Sequence, residues 1–334
     1  MYDAILIVSF GGPEGMDDVM PFLENVTRGR NIPRERLEEV AHHYESFGGV
    51  SPHNEQIRDL IGALEPELRS HNIGLPVYWG NRNWQPMLTD TIQQMVDDGI
   101  KHALAFVVSG YSSYSSCRQY RENIEVAQQS VGAAAPSVDK IRVFYNHPSF
   151  IKAVRARVRE AIDLLPREVQ SSARIVYTAH SIPKSMADAC AYESQLKEAA
   201  RLVSDDFMYN PWTLVYQSRS GPPHVPWLEP DVCDYLQQIS EAGDKDVVIV
   251  PLGFLSDHLE VLYDLDTEAK ELCERIGMTM ARAKTVGTHP LFVSMIRELI
   301  EERIKPETVK LAIGGDGPCQ DECPSDCCPA PRAR

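Results

Sequence analysis

Residues 246–268 read DVVIVPLGFLSDHLEVLYDLDTE. The opening run, DVVIVPLGF, is apolar almost throughout, the pattern of a strand buried on both faces in a parallel sheet. The character then changes. Five carboxylates, Asp257, Glu260, Asp264, Asp266 and Glu268, are threaded through Leu259, Val261, Leu262, Tyr263 and Leu265. If this segment is a helix, Glu260, Asp264 and Glu268 stand at i, i+4 and i+8 on one face, where like charges repel and cost stability. The interleaved apolar residues must bury the other side and hold the carboxylates close to the protein. Two readings stay open: a solvated face, or a line of oxygen ligands at the mouth of a strand.

Five more apolar runs read as buried strands: AILIVSF, PVYWGN, HALAFVVS, RIVYTAHS and WTLVYQS. Helical patterns such as PMLTDTIQQMVDDGI and FIKAVRARVREAIDLL lie between them. Strands alternating with helices of this length predict βαβ units and an α/β fold. The first strand opens into GGPEGMDDVMPFLENV and the strand near residue 176 into HSIPKSMADAC, so two similar α/β lobes are expected. The division expected is residues 1–150, residues 151–305 and a Cys-rich tail, residues 306–334. The tail is rich in Gly, Pro, Cys and Asp and cannot build a core. It is either disordered or pinned by a metal centre.

The chain has 334 residues and a formal net charge of −15, which argues against a nucleic-acid partner. No run of 18 or more apolar residues exists, so no integral membrane contact is expected. The start, MYDAILIVSF, resembles a first strand more than a signal peptide, and the simplest location is cytoplasmic. Of eight cysteines, Cys117, Cys190, Cys233 and Cys273 are scattered, whereas Cys319, Cys323, Cys327 and Cys328 crowd the last 16 residues. In a cytosolic chain such a cluster more often binds metal than forms disulfides.

Ligands of open parallel sheets bind beyond the carboxyl ends of the strands. His180 follows RIVYTA at one such end and Glu260 follows VVIVPLGF at another. An imidazole and a carboxylate there suit a borderline divalent metal or proton transfer. His180 as a structural residue of the SIP turn is the competing reading. Gly11–Pro13 allows close backbone approach to a ligand but lacks the dinucleotide-binding spacing. Arg28, Arg30, Arg34 and Arg36 form a basic patch in an acidic chain, and SGYSSYSSCRQY offers hydroxyls and aromatic rings to a flat ligand.

Taken together, SFGGP, NVTRGR, HYESFGGVSP, TAHSIP, QSRSGPPHVPWLEP and GFLSDHLEVLYDLD resemble the ferrochelatases, class II chelatases that insert Fe2+ into a porphyrin. The resemblance runs to about residue 305, and the SYSSC loop and cysteine tail are most similar to actinobacterial members of the coproporphyrin-dependent branch. It implies two Rossmann-like (chelatase) lobes, each a parallel four-stranded sheet flanked by helices, with the active-site cleft between them. The implied substrate is coproporphyrin III and the product its iron complex, which a coprohaem decarboxylase consumes. A monomer is expected. The resemblance implies His180 and Glu260 as the metal and proton pair, with Asp264 and Glu268 continuing the metal line. Tyr44, Ser51, Tyr120, Arg28 and Arg30 are implied contacts of the propionates.

The tail resembles the segment that carries a 2Fe-2S cluster, implying Cys319, Cys323, Cys327 and Cys328 as ligands, with Cys117 a candidate replacement for one of them. Two positions depart from relatives. Phe10 stands where many have an iron-coordinating Tyr, so Tyr120, Tyr111, Tyr114 or the His180 side is left to bind product iron. Asn83 stands where some have His. A protoporphyrin IX ferrochelatase and a haem or iron–sulfur sensing module on the same fold are the alternatives.

Overall fold

The structure is a computed structural model that describes residues 1–29 and 32–330. Eight strands form two parallel sheets among the described residues. The first holds β1 (Ala4–Ser9), β2 (Val77–Asn81), β3 (His102–Val107) and β4 (Ser137–Lys140) in the order β2-β1-β3-β4. The second holds β5 (Arg174–His180), β6 (Trp212–Gln217), β7 (Asp246–Val250) and β8 (Thr279–Arg282) in the order β6-β5-β7-β8. The two sheets thus repeat one strand order. Six strands are the apolar runs of the sequence. The edge strands SVDK and TMAR carry too little apolar character to be read from it.

The helices of the first half are α1 (Met16–Val26), α2 (Arg34–Glu45), α3 (His53–Ser70), α4 (Leu88–Asp97) and α5 (Gln119–Val131). Those that follow are α6 (Pro148–Ile162), α7 (Lys184–Ala187), α8 (Tyr192–Ser204), α9 (Val232–Glu241), α10 (Leu259–Val261), α11 (Lys270–Ile276) and α12 (Pro290–Ile304).

Both faces of each sheet are covered, as continuous apolar strands require. Ala4, Leu6 and Val8 of β1 pack under α4 and α5, while Ile5 and Ile7 point into a core shared with Ile175, Tyr177 and Val248 of the second sheet. Phe106, Phe144, Phe150 and Phe292 meet there, with Phe106 and Phe144 stacked at 5.3 Å. Phe292 belongs to α12, which follows the last strand of the second sheet. This helix therefore ties the end of the chain to the first sheet. A buried bidentate pair, Arg142 Nε and Nη2 to Glu302 at 2.8 and 2.9 Å, locks it in place.

The tail was expected to be disordered or metal-pinned. Over residues 311–317 hydrogen bonds to Arg142, Tyr145 and Asn146 hold it. Arg142 Nη2 donates to the Leu311 carbonyl at 2.8 Å, the Ile313 amide to Asn146 at 2.9 Å, Asn146 Nδ2 to Gly317 at 2.8 Å and the Tyr145 hydroxyl to Asp316 at 2.8 Å. No helix is long and apolar enough to cross a membrane among the described residues.

Candidate active site

His180 is the last residue of β5, a central strand of the second sheet, and pairs with Gln217 of β6. Its Nδ1 donates to the Ser181 carbonyl at 2.5 Å, which leaves Nε2 as the ring nitrogen that faces the site. Tyr192 donates to the His180 carbonyl at 3.1 Å, and the Ser181 hydroxyl to Leu228 at 2.8 Å. Nε2 faces Glu260 Oε2 at 3.6 Å, too far for a hydrogen bond, and both side chains reach solvent. Each is free to take a third partner.

The acidic segment is helical, but not as one α-helix. Helix α10 passes at once into a π-helix, Leu262–Ala269, which returns to α-geometry in α11. Long π-helical stretches are rare and concentrate at functional sites. The five carboxylates divide into two groups. Asp266 takes two hydrogen bonds from Arg282, at 2.9 and 2.6 Å, and Asp257 takes one at 3.0 Å. Glu260, Asp264 and Glu268 pair with no Lys or Arg among the described residues. Asp264 accepts from Gln217 Nε2 at 3.1 Å and from the Ser218 hydroxyl. Burial pushes its pKa up to about 7; the charges of Glu260 and Glu268 add to this, while Ser218 and Gln217 oppose it. Glu268 is also raised, first by burial and then by Asp231 and Glu271. The apolar side of the segment, Val261, Leu265 and Ala269, is buried against the second sheet and α9.

The remaining candidates lie in the first half of the chain, and of these Tyr44 feels the charge of Glu260. Gly12 lies against Ser51 so closely that a β-carbon would meet its Cβ and Oγ at 2.8 Å. The Ser51 amide donates to Pro13 at 2.9 Å. Tyr44 is buried beside Phe22, and burial with the nearby Glu260 charge holds its hydroxyl protonated. Tyr120 is buried under the Arg82 guanidinium, which also lies over the Phe10 ring at 5.5 Å. Arg28 is exposed and donates to Asn25. Arg30 lies outside the described residues.

Among the candidates to replace a tyrosine at position 10, Tyr111 is committed to the Leu252 carbonyl at 3.1 Å and Tyr114 to Glu122 at 3.0 Å. Asn83 is buried, and its backbone N–H donates to the Phe10 carbonyl at 3.1 Å. Arg82, Gln217, Ser218 and Arg282 escaped the sequence reading. Gln217 and Ser218 had a usable signal, since QSRSG follows a strand at its carboxyl end.

Cys117 is buried in a π-helical turn, Tyr114–Arg118. A contact with the Cys323 thiol draws its pKa down to about 6, helped by Lys140 and opposed by burial. Cys319 and Cys328 also lie within reach of the Cys117 charge, and Arg118 donates to the Cys327 carbonyl at 3.1 Å. Among the described residues, no three His, Cys, Asp or Glu side chains already stand in a metal-holding arrangement.

The family model described as Ferrochelatase matches residues 2–304. The chain is 55% identical to the ferrochelatase of Rhodopirellula baltica over 98% of this chain and 93% of that protein. It is 49% identical to the coproporphyrin III ferrochelatase of Streptomyces coelicolor, over 98% and 94%. Among solved structures, the cobalt complex of the sirohydrochlorin chelatase SirB from Bacillus subtilis subspecies spizizenii shares the fold, with a TM-score of 0.53 at 13% identity over 92% of this chain and 99% of that one. SirB from Bacillus subtilis with Fe3+ gives a TM-score of 0.55 at 14% identity, over 92% and 100%. With a matching family model over most of its length and a relative at 55% identity, the chain belongs to the ferrochelatase family.

Proposed function

We propose that this chain inserts Fe2+ into coproporphyrin III, with His180 and Glu260 as the metal and proton pair. The observation that carries the site assignment is the facing of His180 Nε2 and Glu260 Oε2 at 3.6 Å, at the head of three carboxylates that no Lys or Arg among the described residues neutralises. The substrate reading is supported by the 49% identical relatives from Streptomyces coelicolor and Streptomyces griseus, both coproporphyrin III ferrochelatases.

Insertion exchanges two pyrrole protons for one Fe2+. The hydrated ion must shed its water stepwise, and hard oxygen donors at intervals of about one turn replace that water. Glu268, Asp264 and Glu260 serve as those stations in this reading. His180 Nε2 and Glu260 take the protons. Asp264, with a pKa near 7, can hold a proton or release it at neutral pH. Arg28 and Arg30, with Ser51, Tyr44 and Tyr120, form the proposed side for the four propionates, where Arg gives charge-assisted hydrogen bonds. The product is consumed by a separate decarboxylating enzyme.

The reading extends to the tail. A 2Fe-2S cluster needs four thiolates. Cys117, with its depressed pKa, and the neighbouring Cys319, Cys323 and Cys328 are the proposed ligands, with Cys327 the spare. The cluster would fasten the tail to the SYSSC loop. Eight unbridged cysteines suit a reducing cytoplasm. Anaerobic Fe2+ insertion into coproporphyrin III beside protoporphyrin IX tests the substrate. Faster turnover of coproporphyrin is expected, and a preference for protoporphyrin overturns it. Iron–sulfur absorption that disappears in Cys117→Ser tests the cluster.

A further inference from the structure

The segment that carries Glu260 follows β7, yet much of its support comes from the first half of the chain. The Ser256 hydroxyl bonds Nδ1 of His53, the first residue of α3, at 2.9 Å. One turn on, Gln56 Oε1 accepts the Asp257 amide at 2.8 Å. Leu259 is buried among Val19, Phe22, Leu37 and Tyr44 of α1 and α2. His43 of α2 stacks on Tyr263 with centroids 3.9 Å apart and planes 7° from parallel. His180, in contrast, is fixed by Ser181, Tyr192 and its pairing with Gln217, all in the second half. The two members of the metal pair are thus held by different parts of the molecule.

His53 itself asks for an explanation. It is 4% exposed, and its Nε2 has no hydrogen-bond partner among the described residues. Burial, with His258 nearby, lowers its pKa to about 3, so it is a neutral imidazole at any working pH. A buried nitrogen without a partner is unfavourable, and an apolar side chain would avoid that cost. The bond to Ser256 is what the imidazole supplies and a leucine cannot.

We propose that His53 and Gln56 are positioning residues for metal insertion: from α3 they hold the Ser256 side chain and the Asp257 backbone amide and so set Glu260 against His180. Neither belongs to the proposed metal or porphyrin contacts. The proposal rests on the assignment of Glu260 made above. It implies that anything shifting α3 and the α1–α2 pair relative to the second sheet changes the His180–Glu260 separation.

The test uses the full chain with His53→Leu, His53→Asn, Gln56→Leu and Glu260→Ala. Anaerobic Fe2+ insertion gives KM for iron and kcat, quenching of porphyrin fluorescence gives porphyrin affinity, and thermal unfolding gives stability. His53→Leu and Gln56→Leu are expected to lower kcat/KM for Fe2+ about tenfold, with porphyrin affinity within twofold of the parent. His53→Asn, which offers Ser256 a polar partner again, should recover most of the loss. Unchanged iron kinetics in both leucine variants, with Glu260→Ala inactive, overturn the positioning role alone. A loss that His53→Asn does not rescue and that follows porphyrin affinity or Tm overturns it too. An active Glu260→Ala overturns both the assignment and the proposal built on it. If His53→Leu does not fold, Gln56→Leu, at a half-buried position, decides the matter.

Discussion

Arg282 grips Asp266 through two hydrogen bonds, Nε to Oδ1 at 2.9 Å and Nη2 to Oδ2 at 2.6 Å. With its third contact, to Asp257, one guanidinium neutralises two of the five carboxylates in the segment. Glu260, Asp264 and Glu268 are left without a guanidinium or ammonium partner among the described residues. This sorting separates carboxylates paired within the fold from those left open for the proposed metal line.

Arg282→Gln should therefore destabilise the protein while leaving the iron line chemically intact. Removing one partner of a buried ion pair costs about 3–5 kcal/mol. Asp266 is 35% exposed, so the lower end, about 3 kcal/mol, is expected. Urea unfolding checks this. A midpoint equal to the parent's would contradict it.

Asp264→Asn should stabilise the protein at neutral pH. A carboxyl group with a raised folded-state pKa binds more protons folded than unfolded, so its contribution falls as pH rises. The window runs from the ordinary 3.8 to about 7. The advantage of Asn should grow across that window and level off above it. Thermal unfolding at pH 4, 6 and 8 measures the trend; an advantage that shrinks with pH would refute the burial argument.

Gly12→Ala should weaken porphyrin binding selectively. The new β-carbon meets Ser51 at 2.8 Å, closer than real contacts, so the loop after β1 must shift. A rise of about tenfold in porphyrin Kd, or about 1.4 kcal/mol, is expected, with iron KM unchanged. Fluorescence quenching reports the first and initial rates the second.

Glu302→Leu leaves Arg142 buried without its partner. Both side chains are almost wholly buried, at 1% and 2% exposure, so about 3–5 kcal/mol should be lost. Arg142→Met added to it should restore part of the loss, since the orphan charge is gone. Hydrogen exchange should quicken at residues 311–317, which hang on Arg142 and its neighbours.

The long strands were legible because each is apolar on both faces, and burial on both faces is what the structure gives Ile5 and Leu6. The edge strands β4 and β8 were not, since four-residue edges carry little apolar signal. Spacing put Glu260, Asp264 and Glu268 on one helix, but nothing in a sequence period of four separates an α-helix from the π-helix found. His180 and Glu260 were placed by the rule of strand ends and by the family resemblance. Their supports, His53, Gln56 and Arg282, lie about 200 residues or one sheet edge away, where only tertiary packing brings them in. The tail's fastening depends on Arg142, Asn146 and Tyr145, in a loop with no local pattern to betray it.

The most direct test of the account is anaerobic Fe2+ insertion into coproporphyrin III by the parent, His180→Ala and Glu260→Ala, with porphyrin binding and Tm measured alongside. The account predicts that each variant folds and binds porphyrin, yet loses at least about a hundredfold in rate, the scale of a general acid or base. Rates within a few-fold of the parent in both variants would contradict it.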